Sequence, residues 1–251
     1  MEYAVLALIG LATGLLSGLF GLGGGFLLVP LLALSGWELT HAIGTSLFYV
    51  ALIGAGGALQ HLRQANLDVQ FVAIFSITSV LAAQGGALLT ALFPEWGLSL
   101  AFGLFIVVMA LGMGRSVSPP ENGAPRPVRP LPTMSLGVAV GALSGLFGIG
   151  GGLLFVPAQM KSFEVPLKRA VGNSMAAVFL TGVSGVLAHV WLGHVRFVPG
   201  LVLIAGGLVG VSLGIRWLPR IPVDRLKMAM VVFLLLMAGY MIARGASPLW
   251  S

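Results

Sequence analysis

Gly14-Leu-Leu-Ser17-Gly18-Leu-Phe20-Gly21-Leu-Gly23-Gly24-Gly25-Phe-Leu-Leu-Val29-Pro30 occurs near the N-terminus. It returns 127 residues later as Gly141-Ala-Leu-Ser144-Gly145-Leu-Phe147-Gly148-Ile-Gly150-Gly151-Gly152-Leu-Leu-Phe-Val156-Pro157. Each copy is a glycine-rich interruption inside apolar sequence. Interruptions at corresponding positions of two halves mark the binding site in many transporters, because irregular backbone is tolerated at membrane depth only where it lines a cavity or lies inside protein.

Composition agrees with a membrane location. The 251 residues are 58% hydrophobic and 8% charged, with mean hydropathy +1.05. A soluble chain carries about 25% charged residues. The apolar runs are too long for the alternating strands of an outer-membrane barrel, so the expected fold is an all-α integral membrane protein. No cysteine is present, which excludes thiolate metal sites and disulfides, and the four histidines show no ligand spacing on one helix. Neither a metal nor a cofactor is expected. The net charge of +6 suits anionic lipid and an anionic substrate. The basic residues sit in loops between apolar spans, which argues against nucleic acid. The first 20 residues lack a basic start and a small-residue cleavage site, and read as mature protein.

The repeat organises the whole chain. Residues 4–34 are apolar but broken at Gly21–Gly25, and runs follow at 42–60, 70–93 and 98–114. Residues 115–133 hold six of the 14 prolines and three arginines, the composition of an extended polar linker. A broken run at 134–160 then precedes runs at 170–191, 197–218 and 226–243. The expected units are a first membrane repeat (1–114), a cytoplasmic linker (115–133) and a second repeat (134–251). Beyond the glycines, His41-Ala-Ile-Gly44-Thr45-Ser46 matches Arg169-Ala-Val-Gly172-Asn173-Ser174 at an offset of 128, and His61 falls on His189.

Charge decides between parallel and inverted repeats. If each broken segment crosses the membrane, the basic residues divide six against seven. If each turns at its glycines and returns, Arg63, Arg115, Arg126, Arg129, Lys161, Lys168, Arg169, Arg216, Arg220, Arg225 and Lys227 share one side, opposite Arg196 and Arg244. Eleven against two obeys the positive-inside rule. Three crossings per half then make two inverted structural repeats, each a re-entrant segment plus three transmembrane helices, with both termini outside.

The glycine triplets Gly23, Gly24, Gly25 and Gly150, Gly151, Gly152 are neither a Rossmann fingerprint nor a P-loop, since the required spacing and the Lys-Ser/Thr ending are missing. Two readings remain. Tight helix packing uses small residues. A functional break instead exposes backbone N–H groups at the start of a second helical arm, where the helix dipole favours an anion. Thr45, Ser46, Asn173 and Ser174 open apolar runs and either donate to a ligand or bond within the protein. Ser17 and Ser144 either line the site or bond back to the preceding turn. His61 and His189 read as structural groups or a proton relay, and Arg169 as an interface anchor or a gate. All seven acids lie outside or at the edges of the apolar runs, which argues against a cation exchanger, a metal site or a carboxylate-pair enzyme.

The doubled Ser-Gly-Leu-Phe-Gly-[Leu/Ile]-Gly-Gly-Gly motif, its Val-Pro ending and the following Ala-[Ile/Val]-Gly-x-Ser resemble the TauE/SafE sulfite and organosulfonate exporter family over both halves. That resemblance implies a multi-pass permease of the bacterial inner membrane moving sulfite, sulfonates or related organic anions. It places the family's motifs on Gly21–Gly25 with Thr45 and Ser46, and on Gly148–Gly152 with Asn173 and Ser174. Asn173 departs from the family's usual threonine. The expected protein is a secondary transporter working by alternating access, not an enzyme. Its partners are a small anion and the bilayer, and a proton or sodium coupling ion and a homo-oligomer are compatible with it. A passive anion channel of the same fold is the alternative.

Overall fold

The computed structural model describes residues 2–20, 23–114, 128–217 and 223–247. Gly21 and most of the proline-rich linker lie outside them. The described residues form ten helices in chain order: α1 (Glu2–Phe20), α2 (Gly25–Leu34), α3 (Leu39–Arg63), α4 (Val69–Thr90), α5 (Glu95–Gly114), α6 (Pro130–Phe147), α7 (Gly152–Ser162), α8 (Leu167–Trp191), α9 (Phe197–Trp217) and α10 (Val223–Ala246). Each half thus contributes five, and each apolar run of the sequence corresponds to a helix or a broken pair. Local chemistry sets several ends. The Asp68 carboxylate caps α4 by accepting from the Phe71 N–H at 3.0 Å. Pro130 opens α6 at a position where its missing N–H costs nothing, so the helix starts inside the stretch that composition assigns to the linker.

Six helices among the described residues are long and apolar enough to cross a membrane: α3, α4, α5, α6, α8 and α9. With exposed leucines such as Leu81, Leu104, Leu201 and Leu236 on the outer helices, this is a multi-pass integral membrane protein.

The halves interlock. Each half's first helix packs on the fourth helix of the other half, α1 on α9 and α6 on α4, while α3 pairs with α8 and α5 with α10. Glycines make the first two seams. Gly10, Gly14 and Gly18 of α1 face Leu203, Gly207 and Val211, and Gly206, Gly210 and Gly214 of α9 face Ala7, Leu11 and Leu15. The numbers rise together, so α1 and α9 run in the same direction. Gly137, Gly141 and Gly145 of α6 likewise meet Phe75, Ser79 and Ala83 of α4. The central pair is opposed: Gly54 meets Phe179, and Gly185 meets Leu47. Without a hydrophobic drive between helices in lipid, close backbone approach at small residues supplies the packing.

The two arms of each broken segment are unequal. The 19 residues of α1 extend about 28 Å, nearly the hydrocarbon thickness, whereas a ten-residue α2 reaches about half of that. Gly24 lies beside Thr13 and Ser17 of α1, so the chain doubles back from Phe20 before α2 begins. The far end of α2 is fastened at the rim. Arg244 donates to the Ala33 carbonyl at 3.0 Å and the Trp37 carbonyl at 3.1 Å, and pairs with Glu95 at 2.7 Å. Tyr240 also donates to Ala33 O, at 3.1 Å, and Arg196 lies over the Trp37 ring, 4.6 Å from its centroid. A cation at the C-terminal carbonyls of a helix opposes its dipole. The two arginines that the charge count sets apart from the other eleven both work at this corner.

Gly210→Leu, which drives a side chain into the Leu11 backbone, is expected to lower stability by about 1–3 kcal/mol. Gly239→Leu, at a position with open space around it, should stay within about 0.5 kcal/mol of the parent. Thermal unfolding of the purified protein in detergent compares them.

Candidate functional site

The glycine triplets begin the two short helices. Gly23 and Gly24 have φ of 75° and 78°, and Gly150 and Gly151 have φ of 72° and 83°, a left-handed conformation that glycine alone adopts readily. Gly24 and Gly151 are the N-caps of α2 and α7, with no side chain capping either helix. Gly25 has a different need: a Cβ there would run into the Gly148 carbonyl oxygen and Val50. The two interruptions therefore touch. Val50 and Val178, equivalent in α3 and α8, each pack against both Gly23 and Gly150. Ser46 ties the contact together, donating to Gly148 O at 2.8 Å with Gly25 O at 3.4 Å. Residues 23–30 and 147–153 are all buried. At such an N-terminus the first backbone amides have no partner within the helix, and here two such breaks are buried against each other.

Thr45 and Asn173 face elsewhere, and in the same way. The Thr45 hydroxyl accepts from the Arg196 N–H at 3.0 Å, and Asn173 Oδ1 accepts from the Asp68 N–H at 2.7 Å. Positions 68 and 196 are themselves equivalent, so each side chain holds the loop after the third helix of the opposite half. The asparagine brings two further donors. Its Nδ2 bonds to Gln159 Oε1 at 2.8 Å, and Gln159 Nε2 in turn donates to Ala170 O at 3.2 Å. Gln159 stands where the first half has Leu32, so a longer amide on α8 is matched by an amide on α7. Gln159 was missed by sequence reasoning, and its signal was a lone fully buried glutamine in an apolar helix. Ser174 is buried at the position equivalent to Ser46.

Among the described residues, the histidines and Arg169 make no contact with the two glycine triplets, although His189 reaches the preceding Ser144-Gly145 step. His189 Nε2 sits 3.0 Å from Gly145 O, and its Nδ1 is 3.2 Å from His194 Nδ1. The His41 ring lies edge-on to His194, with centroids 6.1 Å apart. In the loop, burial, reinforced by His41, lowers the pKa of His194, with Glu38 opposing. His189 and His194 are five residues apart, and the fold brings the distant His41 to them. His61 is buried at the opposite end of α3 with neither ring nitrogen bonded. Arg169 is half-buried at the start of α8. Between α3 and α9, Arg63 and Arg216 line an open hollow of about 390 Å³. Among the described residues no group of three or more His, Asp or Glu side chains could hold a metal ion.

Comparison with known proteins adds the lineage. The chain is 32% identical to the probable membrane transporter protein YunE of Bacillus subtilis, over 98% of this chain and 99% of that one. It is 28% identical to a probable membrane transporter protein of Methanocaldococcus jannaschii, over 95% and 94% of the two chains. A probable membrane transporter protein of Xylella fastidiosa is 33% identical over 82% of this chain and 80% of its own. No solved structure matches. The family model described as sulfite exporter TauE/SafE matches residues 6–241, both glycine breaks and all ten helices included in whole or part, and the chain belongs to that family.

Proposed function

We propose that this membrane transporter carries a small sulfur oxyanion (sulfite, a sulfonate or a sulfoacid) across the cytoplasmic membrane by alternating access. The anion is held where the two glycine breaks meet. The observation that carries this reading is that two uncapped helix N-termini follow breaks that touch and are buried together. Each contributes unpaired amides and the positive end of a dipole, and no charged side chain among the described residues is buried to compete. Gly23, Gly24, Gly25, Gly150, Gly151 and Gly152 let the ligand approach the backbone. Ser46 and Ser174 flank the breaks, while Thr45 and Asn173 place the loops that close over them. The burial of both breaks favours a carrier over a passive channel, which needs an open path. The sequence has no ATP-binding motif, so the drive is the gradient of the anion, of protons or of sodium. His61, His189 and Arg169 serve gating or proton transfer, His189 from beside the Gly145 carbonyl.

The inverted arrangement of the halves belongs to the same proposal. It is supported by the shared direction of α1 and α9, the opposed direction of α3 and α8, and the eleven-to-two division of basic residues. The linker then lies in the cytoplasm and both termini outside. The chain lacks cysteine, so one introduced at Asn122 should react with a membrane-impermeant thiol reagent only after the membrane is opened. Labelling of intact cells would overturn the orientation.

Binding and transport are tested directly. Among sulfite, sulfate, thiosulfate, taurine, sulfoacetate and lactate, a transported anion should raise the melting temperature of the purified protein. A ligand at 100 times its Kd adds about 2.7 kcal/mol. In liposomes its flux should saturate and show counterflow, whereas flux linear in concentration would favour the channel. Gly24→Val and Gly151→Val, each placing a branched side chain at positive φ, should abolish flux in protein that still reaches the membrane. Unchanged flux in both variants rejects the site.

A further inference from the structure

Serine inside a helix normally satisfies its hydroxyl by bonding back to the carbonyl four residues earlier. Buried Ser76 and Ser99 make no bond, whereas others follow the habit: Thr13 bonds to Ile9 O at 2.8 Å, Ser35 to Leu31 O at 2.9 Å, and Ser212 to Leu208 O at 2.9 Å. Ser17 and Ser144 do not. Both are fully buried, and neither hydroxyl has a partner. A buried hydroxyl without a hydrogen bond is costly in any protein interior, and a matched pair of them calls for an explanation.

Their surroundings supply one. The two serines are equivalent in the repeat, and each faces the N-cap glycine of its own short helix. A Cβ built on Gly24 would lie 3.1 Å from the Thr13 carbonyl oxygen and 3.5 Å from Ser17 Cβ. One built on Gly151 would run into Val140 Cγ1 and lie 3.7 Å from the Val140 carbonyl oxygen and 3.9 Å from Ser144 Cβ. Thr13 and Val140 are the residues four before each serine. Each half thus forms a comparable notch: a serine hydroxyl and the carbonyl it declines, set against a left-handed glycine and the open amides of a helix, and edged by the Tyr49 ring in the first half and by the Val140 side chain in the second. Val50 and Val178 pack on the neighbouring glycines, Gly23 and Gly150.

We infer that Ser17 and Ser144 donate their hydroxyls to the transported anion, one in each notch, and that this anion carries a single charge. The inference rests on the anion-binding reading of the glycine breaks and adds the donors and the charge state. The charge state follows from what surrounds the site. Hydroxyls, amides and helix dipoles are neutral or partial charges, and the buried residues among those described include no lysine or arginine. A second formal charge would stand in an apolar interior with no counter-ion, at a cost that neutral donors do not meet.

Titration calorimetry of the detergent-purified, full-length protein with methanesulfonate and with sulfate tests this, alongside melting curves without anion. Wild type is expected to bind methanesulfonate and to bind sulfate at least tenfold more weakly. Wild type that binds neither anion overturns the anion-binding reading itself. Sulfate binding within tenfold of methanesulfonate overturns the single charge. Ser17→Ala and Ser144→Ala remove a hydroxyl that bonds to nothing, so each variant should melt without anion at the wild-type temperature or above. The double variant, which loses two donors to a charged group, should bind methanesulfonate about a hundredfold more weakly or worse. Ser212→Ala, which loses a bond on the exposed face of α9, should leave affinity unchanged. A loss below tenfold in the double variant, or a lowered melting temperature without anion, assigns the serines to structure and overturns the donor role.

Discussion

A backbone amide in hydrocarbon has nowhere to turn for a hydrogen bond, and that constraint shapes this protein. A helix interrupted at membrane depth must bury its interruption inside protein. Each half carries one such interruption and lacks enough surrounding helices to enclose it. The interlocked arrangement solves both problems at once: each first helix is lent to the other half, and the central α3–α8 pair brings the two breaks together. The glycine seams follow from this, because helices that must approach closely without a hydrophobic drive do so through small residues.

The residues of the break serve three separate physical needs within a few positions. Gly23 and Gly24 supply a handedness that side chains resist, Gly25 supplies proximity to the opposite break, and Ser46 supplies a hydrogen bond across the contact. Gly150 and Gly151 repeat that handedness in the second half. A site built this way is chiefly backbone, which explains why the sequence shows so little conventional site chemistry in its apolar core.

The helices and the location of the breaks were readable because they rest on local signals: long apolar runs, a doubled motif and a proline-rich junction. The early start of α6 was hidden, since Pro130 and Pro132 look like linker until a helix N-terminus explains them. The partners of Thr45 and Asn173 were out of reach for another reason. Each lies in a loop more than 100 positions away, as |i−j| of 151 and 105 shows, and no pattern along the chain announces such a contact. The bare hydroxyls of Ser17 and Ser144 were equally invisible, because sequence gives the residue and not whether its bond is made. Asn173 in place of threonine looked like a lone departure until Gln159 appeared beside it.

The exchange of first helices has a bearing on origins. A chain ending at residue 114 would leave the glycine face of α1 and the matching surface of α4 bare in the lipid. Two copies of such a chain could each hand α1 to the other and close both seams with no new contact. The ancestor of the duplicated gene would on this account have been an obligate pair of short chains, and fusion through the proline-rich junction made permanent an assembly that the half-length protein already required.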